Sequence, residues 1–259
     1  MKRELIAGII VVLILILGVW YVVLHPAPAA APGQSATSTA QGLPAQGPYA
    51  ESTDYYAIAA NYPTSTPLRT EVSASADDAA IALMRGWAAD TIAQFKADGE
   101  YASVTPQDAQ IRFTNGRKDS LQINYLIGSS EHTLSYIFTI NADTGGAHGN
   151  TYFKTFVFDR TNGNNLVLGD LFQPRTDYLT TLSSMSRAKL PDVIGQYADP
   201  TFIKDGTEPK EEDFANFFFD GANFALLFPP YQVASYAQGP ITLRIPAIQL
   251  KSILKAQYP

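Results

Sequence analysis

Cysteine is absent from the 259 residues. That excludes disulfide staples, a thiolate nucleophile and a lipid-modified N-terminal cysteine, so the apolar core alone must hold the fold. Histidine is scarce: only His25, His132 and His148 occur, without the tight His/Asp/Glu spacing of a zinc site. No metal and no cofactor is therefore expected. A G-x-S-x-G nucleophile elbow and a Gly-Lys-Ser/Thr phosphate loop are missing as well. Charge is thin, at 16% of residues, with 18 basic against 24 acidic side chains. Nucleic-acid binding needs Lys and Arg clustered on one face, and this balance does not supply them. A glycosidase needs two carboxylates at a defined separation, and nothing in the sequence selects such a pair. No catalytic residue is assigned, and the expectation is a protein that is not an enzyme.

What the sequence does have is one long apolar run. Leu5 to Leu24, LIAGIIVVLILILGVWYVVL, carries no charge. Twenty residues at ~1.5 Å rise span ~30 Å, the thickness of a bilayer's hydrocarbon core. Lys2 and Arg3 precede it, and Trp20 and Tyr21 lie near its far end. Positive residues stay in the cytoplasm and aromatic rings favour the interface, so residues 1–4 are expected as a cytoplasmic tail and residues 5–24 as a transmembrane helix. The expected localisation is the bacterial cytoplasmic membrane, single-pass, with the C-terminal part extracytoplasmic. The rival reading is a cleaved signal peptide, with Ala29–Ala31 as its cleavage site; its apolar stretch should be only ~7–15 residues long.

Residues 25–50 read as a tether. They are rich in Ala, Pro, Gly, Ser, Thr and Gln, include five prolines and are almost uncharged. Such a segment buries too little apolar surface to fold, and prolines bias it towards an extended chain of up to ~80 Å. About 210 residues remain, enough for one large domain or two closely packed smaller ones. Without Lys2, Arg3 and Glu4 the balance is 16 basic to 23 acidic, a net −7 that would favour a basic partner.

The first expected strand is Thr53–Ile58. Ile81, Met84, Trp87, Ala88, Ile92 and Phe95 recur at three- and four-residue spacing and predict a helix over 75–97, with Ser75 and Asp78 as its capping box and Asp98–Gly99 as its stop. Alternation then predicts a hairpin, Leu121–Ile127 with Leu134–Ile140, and a third strand at Thr151–Asp159. A short strand at Leu166–Leu168 and a helix over Thr176–Lys189 follow. Phe214–Phe219 and Asn223–Phe228 read as a second hairpin around Asp220–Gly221. Ile241–Ile245 is the last strand and Ala247–Ala256 a terminal helix begun at Pro246. The fold class expected is α+β: antiparallel sheets with packed helices in two associated subdomains, 51–160 and 161–259.

Three stretches stand out: Asn141-Ala-Asp-Thr-Gly-Gly-Ala-His-Gly149, Phe158-Asp-Arg-Thr-Asn-Gly163 with Leu168-Gly-Asp-Leu-Phe172, and Phe228-Pro-Pro-Tyr-Gln-Val233 with Tyr236-Ala-Gln-Gly239 and Ile245–Pro246. In this order they resemble a family of paired extracytoplasmic domains of unknown function. Such domains occur in the ectodomain of the anti-sigma factor RsiV and, in part, in the non-catalytic N-terminal region of the peptidoglycan deacetylase PdaC. The resemblance covers roughly Asp54 to Leu254, and departs from the family pattern at Gln232, where a Glu is usual, and at Ala247, where a Tyr is common. Four residues before the apolar run do not make a sigma-factor-binding domain, and no separate deacetylase domain follows the paired ones. The resemblance therefore implies a non-catalytic binding module at the cell envelope, whose partner is a cell-wall glycan or a lysozyme-like protein. The alternative is a cell-wall hydrolase or deacetylase with an unrecognised carboxylate–histidine site; a third is an assembly scaffold.

Candidate ligand-binding residues are Phe228, Pro230, Tyr231, Tyr236, His148, Gly145 and Gly146. Pro229–Pro230 stiffens the loop, so Tyr231 and Tyr236 are presented at low entropic cost. Tyrosine rings stack on sugar faces and anchor protein interfaces. The competing reading is that Phe228 and Tyr231 close the core. Gly145 and Gly146 permit positive φ. His148 either hydrogen-bonds backbone in a tight connection or contacts a ligand. Glu208, Glu211, Glu212 and Asp213 read as a solvated acidic loop.

Overall fold

The computed structural model describes Leu43, residues 47–66 and residues 74–258. The apolar run at 5–24 and all but the end of the tether lie outside the described residues. Among the described residues, no helix is long and apolar enough to cross a membrane.

The chain is α+β, built on two sheets. The first has six strands in chain order: β1 (Tyr49–Ser52), β2 (Tyr56–Ala60), β3 (Asp119–Ser129), β4 (Thr133–Asp143), β5 (Asn150–Asp159) and β6 (Asn165–Leu166). Neighbouring strands are antiparallel except β2 and β3, which run parallel, so the sheet is mixed rather than purely antiparallel. A parallel pair needs a long crossover. Helix α1 (Ala74–Asp98) lies in that crossover, with the shorter α2 (Pro106–Arg112) after it. Ala80, Met84, Ala88, Ile92 and Phe95 of α1 are buried against Leu121, Ile123, Leu134, Tyr136, Phe138 and Ile140. The three- and four-residue spacing thus marks the buried stripe, although Ile81 and Trp87 sit at its half-exposed margin. The described part of the helix already includes Ala74, so Ser75 lies within it rather than at its N-cap.

The second sheet has three antiparallel strands, β7 (Phe217–Asp220), β8 (Asn223–Phe228) and β9 (Ile241–Pro246). One face packs on α3 (Tyr178–Ile194), where Leu182, Leu190 and Ile194 meet Phe224, Leu226, Phe228, Leu243 and Ile245 in a second core. Its other face meets the first sheet, with Phe218, Ala225 and Leu227 packed on Ile137 and the half-buried Phe153. β4 is therefore covered on both faces, which is why its odd residues Thr133, Ser135 and Ile137 are buried along with its even ones. Gly128 permits this contact: a Cβ there would lie 2.8 Å from the carbonyl oxygen of Phe219.

Several elements differ from expectation. β1 starts at Tyr49, two residues inside the expected tether, and β6 extends the first sheet past the expected boundary at residue 160. α2 and α4 (Pro200–Asp205) are additional short helices, started by Thr105 and Asp199, whose side chains accept from backbone N–H groups of the first turn. The terminal helix expected at 247–256 is a single 3-10 turn, Ala247–Leu250. Beyond it the backbone makes only isolated turns, with the Ile253 and Leu254 N–H groups donating to Leu250 O, and otherwise pairs across the structure. Lys255 N–H donates to Leu171 O, Gln173 N–H donates to Ile253 O, and Leu254 bridges Phe172. Leu250, Leu254 and Tyr258 still reach the core from this irregular path.

Candidate functional site

The connection between β4 and β5 runs from Thr144 to Gly149, and the loop after β8 runs from Pro229 to Pro240. Although far apart in sequence, they meet. The His148 ring stacks on Tyr236, centroids 3.8 Å apart and 18° from parallel, and lies 6.1 Å from the Tyr231 ring. Tyr231 and Tyr236 are themselves 5.4 Å apart. Polar contacts fix the group. The Tyr236 hydroxyl donates to Gly149 O at 3.0 Å, and His148 Nδ1 lies 3.0 Å from the same oxygen. An Nδ1–H donor there leaves Nε2 to accept from the Tyr231 hydroxyl, 3.2 Å away. The backbone-bonding reading of His148 holds, and its ring is also part of an exposed aromatic cluster.

The Tyr231 loop is held rigidly. Val233 and Ala234 are buried beneath it. Gln232 Nε2 donates to Gly206 O at 2.9 Å and to Asp213 O at 2.8 Å. A glutamate carboxylate could make neither bond. Gly206 has to be glycine, because a Cβ would sit 1.9 Å from Gln232 O. Between these anchors Tyr231 adopts φ 72°, a left-handed conformation that is strained for a bulky residue, and it is 54% exposed. Such strain persists only where the surrounding structure holds it in place.

Other candidate residues fall differently. Phe228 is fully buried, edge-to-face with Phe214, and so is a scaffold residue rather than a contact residue. It continues the inward face of β8 begun by Phe224 and Leu226, which the two-residue period dictates. Pro230 is half-buried beside Tyr231. Gly145 has φ 97°, and a Cβ there would collide with Arg117, whose guanidinium pairs with Asp143 at 2.8 Å. Gly145 thus shapes the loop and offers no contact group of its own. Gly146 has room for a side chain. His132, on the β3–β4 turn, lies 4.0 Å from Glu131. Among the described residues no group of three His, Cys, Asp or Glu side chains is placed to hold a metal ion.

One feature escaped the sequence. Tyr231 and Gln232 border a cleft of about 600 Å³ whose other walls include Asp199, Phe202, Asp205 and Asp213. Asp199 and Asp205 are exposed, and Phe202 is 37% exposed. Burial pushes the Asp213 carboxyl above the usual carboxylate range, although Lys210 and the Glu208 N–H act against it. The Asp199–Pro200 pair marks a helix start, but nothing in the sequence places that helix beside Tyr231. The acidic loop expected at 208–213 is partly structural, since Asp213 accepts from Glu208 N–H at 2.7 Å and Glu211 accepts from the Tyr178 hydroxyl.

This geometry can be set beside known proteins. Residues 169–247 match the family model DUF3298, a "Protein of unknown function". The matched segment holds β7–β9, α3, α4 and the whole Tyr231 loop, so the family resemblance read from the motifs is borne out there. Over 143 residues the chain is also 34% identical to the peptidoglycan-N-acetylmuramic acid deacetylase PdaC of Bacillus subtilis, a match covering 55% of this chain and 31% of PdaC. The chain thus spans about a third of that relative's length. A crystal structure of a DUF3298 family member from Bacteroides fragilis superposes with a TM-score of 0.55 at 18% identity, covering 77% of this chain and 84% of the other. At that identity the likeness shows a shared fold. A DUF3298 family protein from Pseudomonas aeruginosa covers the same shares at 14% identity, with a TM-score of 0.44.

Proposed function

We propose that this chain is a non-catalytic binding module of the bacterial cell envelope, anchored by Leu5–Leu24 and working outside the cytoplasmic membrane. One observation carries the reading: loops from the two halves of the fold converge into the His148–Tyr231–Tyr236 cluster, with Tyr231 exposed and strained beside an acidic cleft. The similarity to a peptidoglycan deacetylase and to DUF3298 supports an envelope role. Rigid, exposed tyrosines are the side chains that interfaces use as anchors, because little conformational entropy is lost on binding. The partner is cell-wall glycan or a protein that acts on it. At this face, Asp199 and Asp205 favour a basic protein such as lysozyme over a neutral sugar, since complementary charge speeds encounter.

The test is capture of lysozyme and of peptidoglycan fragments, in parallel, by the full-length chain. Lysozyme binding should weaken steeply with added salt, whereas sugar stacking should hardly change. Tyr231→Ala should weaken the productive interaction by about 2 kcal/mol or more, roughly thirtyfold in Kd. Capture of neither probe, or lysozyme capture unaffected by Tyr231→Ala, would remove the proposal. Assaying the same samples for released or deacetylated wall products tests the hydrolase alternative.

A further inference from the structure

The first sheet carries a second feature, away from the Tyr231 loop. On β5, Asn150, Tyr152, Lys154 and Phe156 share the face that α1 covers, following the two-residue period. Trp87 of α1 packs on Phe156 and Phe138 at centroid distances of 5.8 and 4.8 Å. Towards Asn150 the helix no longer seals the sheet, and a groove of about 930 Å³ opens. This lies within the range of small-ligand sites, ~300–1,000 Å³.

Its helix wall presents Asp90, Gln94 and Asp98 at four-residue spacing, a polar row ~12 Å long on one helix face. The sheet wall presents Asn150, Tyr152 and Lys154, with Tyr152 41% exposed. Little of this polar equipment is used by the fold. Gln94 Nε2 donates to Asp98 Oδ1 at 2.6 Å, but the Asp90 carboxylate, the Tyr152 hydroxyl and the Lys154 ammonium hydrogen-bond or ion-pair with no other described residue. Lys154 instead lies 5.3 Å from the centre of the Phe156 ring. Arg112, also at the groove, is committed to Asp119 at 2.7 Å and to Gly99 O. Two carboxylates facing one uncommitted ammonium leave little net charge, and planar acceptors and amides sit beside two aromatic side chains.

We infer that this groove is a saccharide-binding site, independent of the Tyr231 surface. A pyranose ring has an apolar C–H face and an equatorial rim of hydroxyls. The Trp87 and Tyr152 rings suit the face, while Asp90, Gln94 and Asn150 suit paired hydroxyl and amide groups. A strongly cationic or anionic ligand would find no matching excess of charge.

Trp87 reports on the groove, because Trp20 is the only other tryptophan. The experiment titrates the full-length chain carrying Trp20→Phe, in a non-glycosidic detergent, with the β-1,4-linked N-acetylglucosamine tetramer. A saturable change in Trp87 emission is expected. Tyr152→Ala should weaken it at least tenfold, and so should Asp90→Ala, whose exposed position leaves folding unaffected. Tyr231→Ala should leave it unchanged, which separates this site from the lysozyme-facing one. No saturable change at millimolar sugar, or a change that survives both Tyr152→Ala and Asp90→Ala, would overturn the assignment.

Discussion

Gln232 donates both hydrogens of its amide to main-chain carbonyls, of Gly206 and Asp213, and a carboxylate in its place would set two acceptors against acceptors. Gln232→Glu should therefore lower stability by about 1–3 kcal/mol, the usual cost of leaving polar groups unsatisfied, read as a reduced urea midpoint. A second residue-scale prediction concerns Glu51 on β1. Its partial burial alone would raise its pKa. Hydrogen bonds from Lys96, Tyr49 and Tyr56 outweigh that and bring the carboxyl to about 2, against 4.5 for a free side chain. A lowered folded-state pKa contributes stability above the unfolded value that is lost as pH falls through the folded one. Urea midpoints should thus decline between about pH 4.5 and 2, and Glu51→Gln should flatten part of that decline. An equally steep decline in the variant would show that other carboxylates account for it.

At the scale of elements, the close approach of β3 and β7 rests on Gly128. Gly128→Ala places a methyl group 2.8 Å from Phe219 O, a backbone atom that cannot swing aside. Overpacking of this kind should cost about 1–3 kcal/mol, visible as a lower melting temperature. Long elements were legible in the sequence because each repeats its pattern several times. The α1 stripe, the β3–β4 hairpin, β5 and the β7–β8 hairpin all lie within a few residues of expectation. β1, α2 and α4 offer too few residues for a period to emerge, although Thr105 with Asp108 and Asp199 with Pro200 are readable helix starts. The expected terminal helix fails for another reason: Leu250, Leu254 and Tyr258 mimic a four-residue period, but tertiary hydrogen bonds to Leu171 and from Gln173 decide the backbone. The site was legible residue by residue. Tyr231, Tyr236 and His148 could be singled out from their motifs, but no local signal carries contact between positions so far apart. Phe228 shares the two-residue period of Phe224 and Leu226, and for it the core-closing reading is the one that holds.

For the whole molecule, the consequence is that neither half owns the aromatic cluster. His148 comes from the first sheet, and both tyrosines come from the loop that leaves the second. Docking of the two sheets through Ile137, Phe218, Ala225 and Leu227 is what aligns them. A partner engaging this surface must touch both loops, and its binding should be sensitive to changes at the sheet–sheet contact as well as to changes in the tyrosines. Backbone hydrogen–deuterium exchange of the full-length chain, with and without lysozyme or peptidoglycan fragments, examines this most directly. Slowed exchange in residues 144–149 and 229–238 together, induced by one of the two probes, is the predicted result. Slowed exchange in one loop alone, or in neither loop with either probe, would contradict the proposed binding surface.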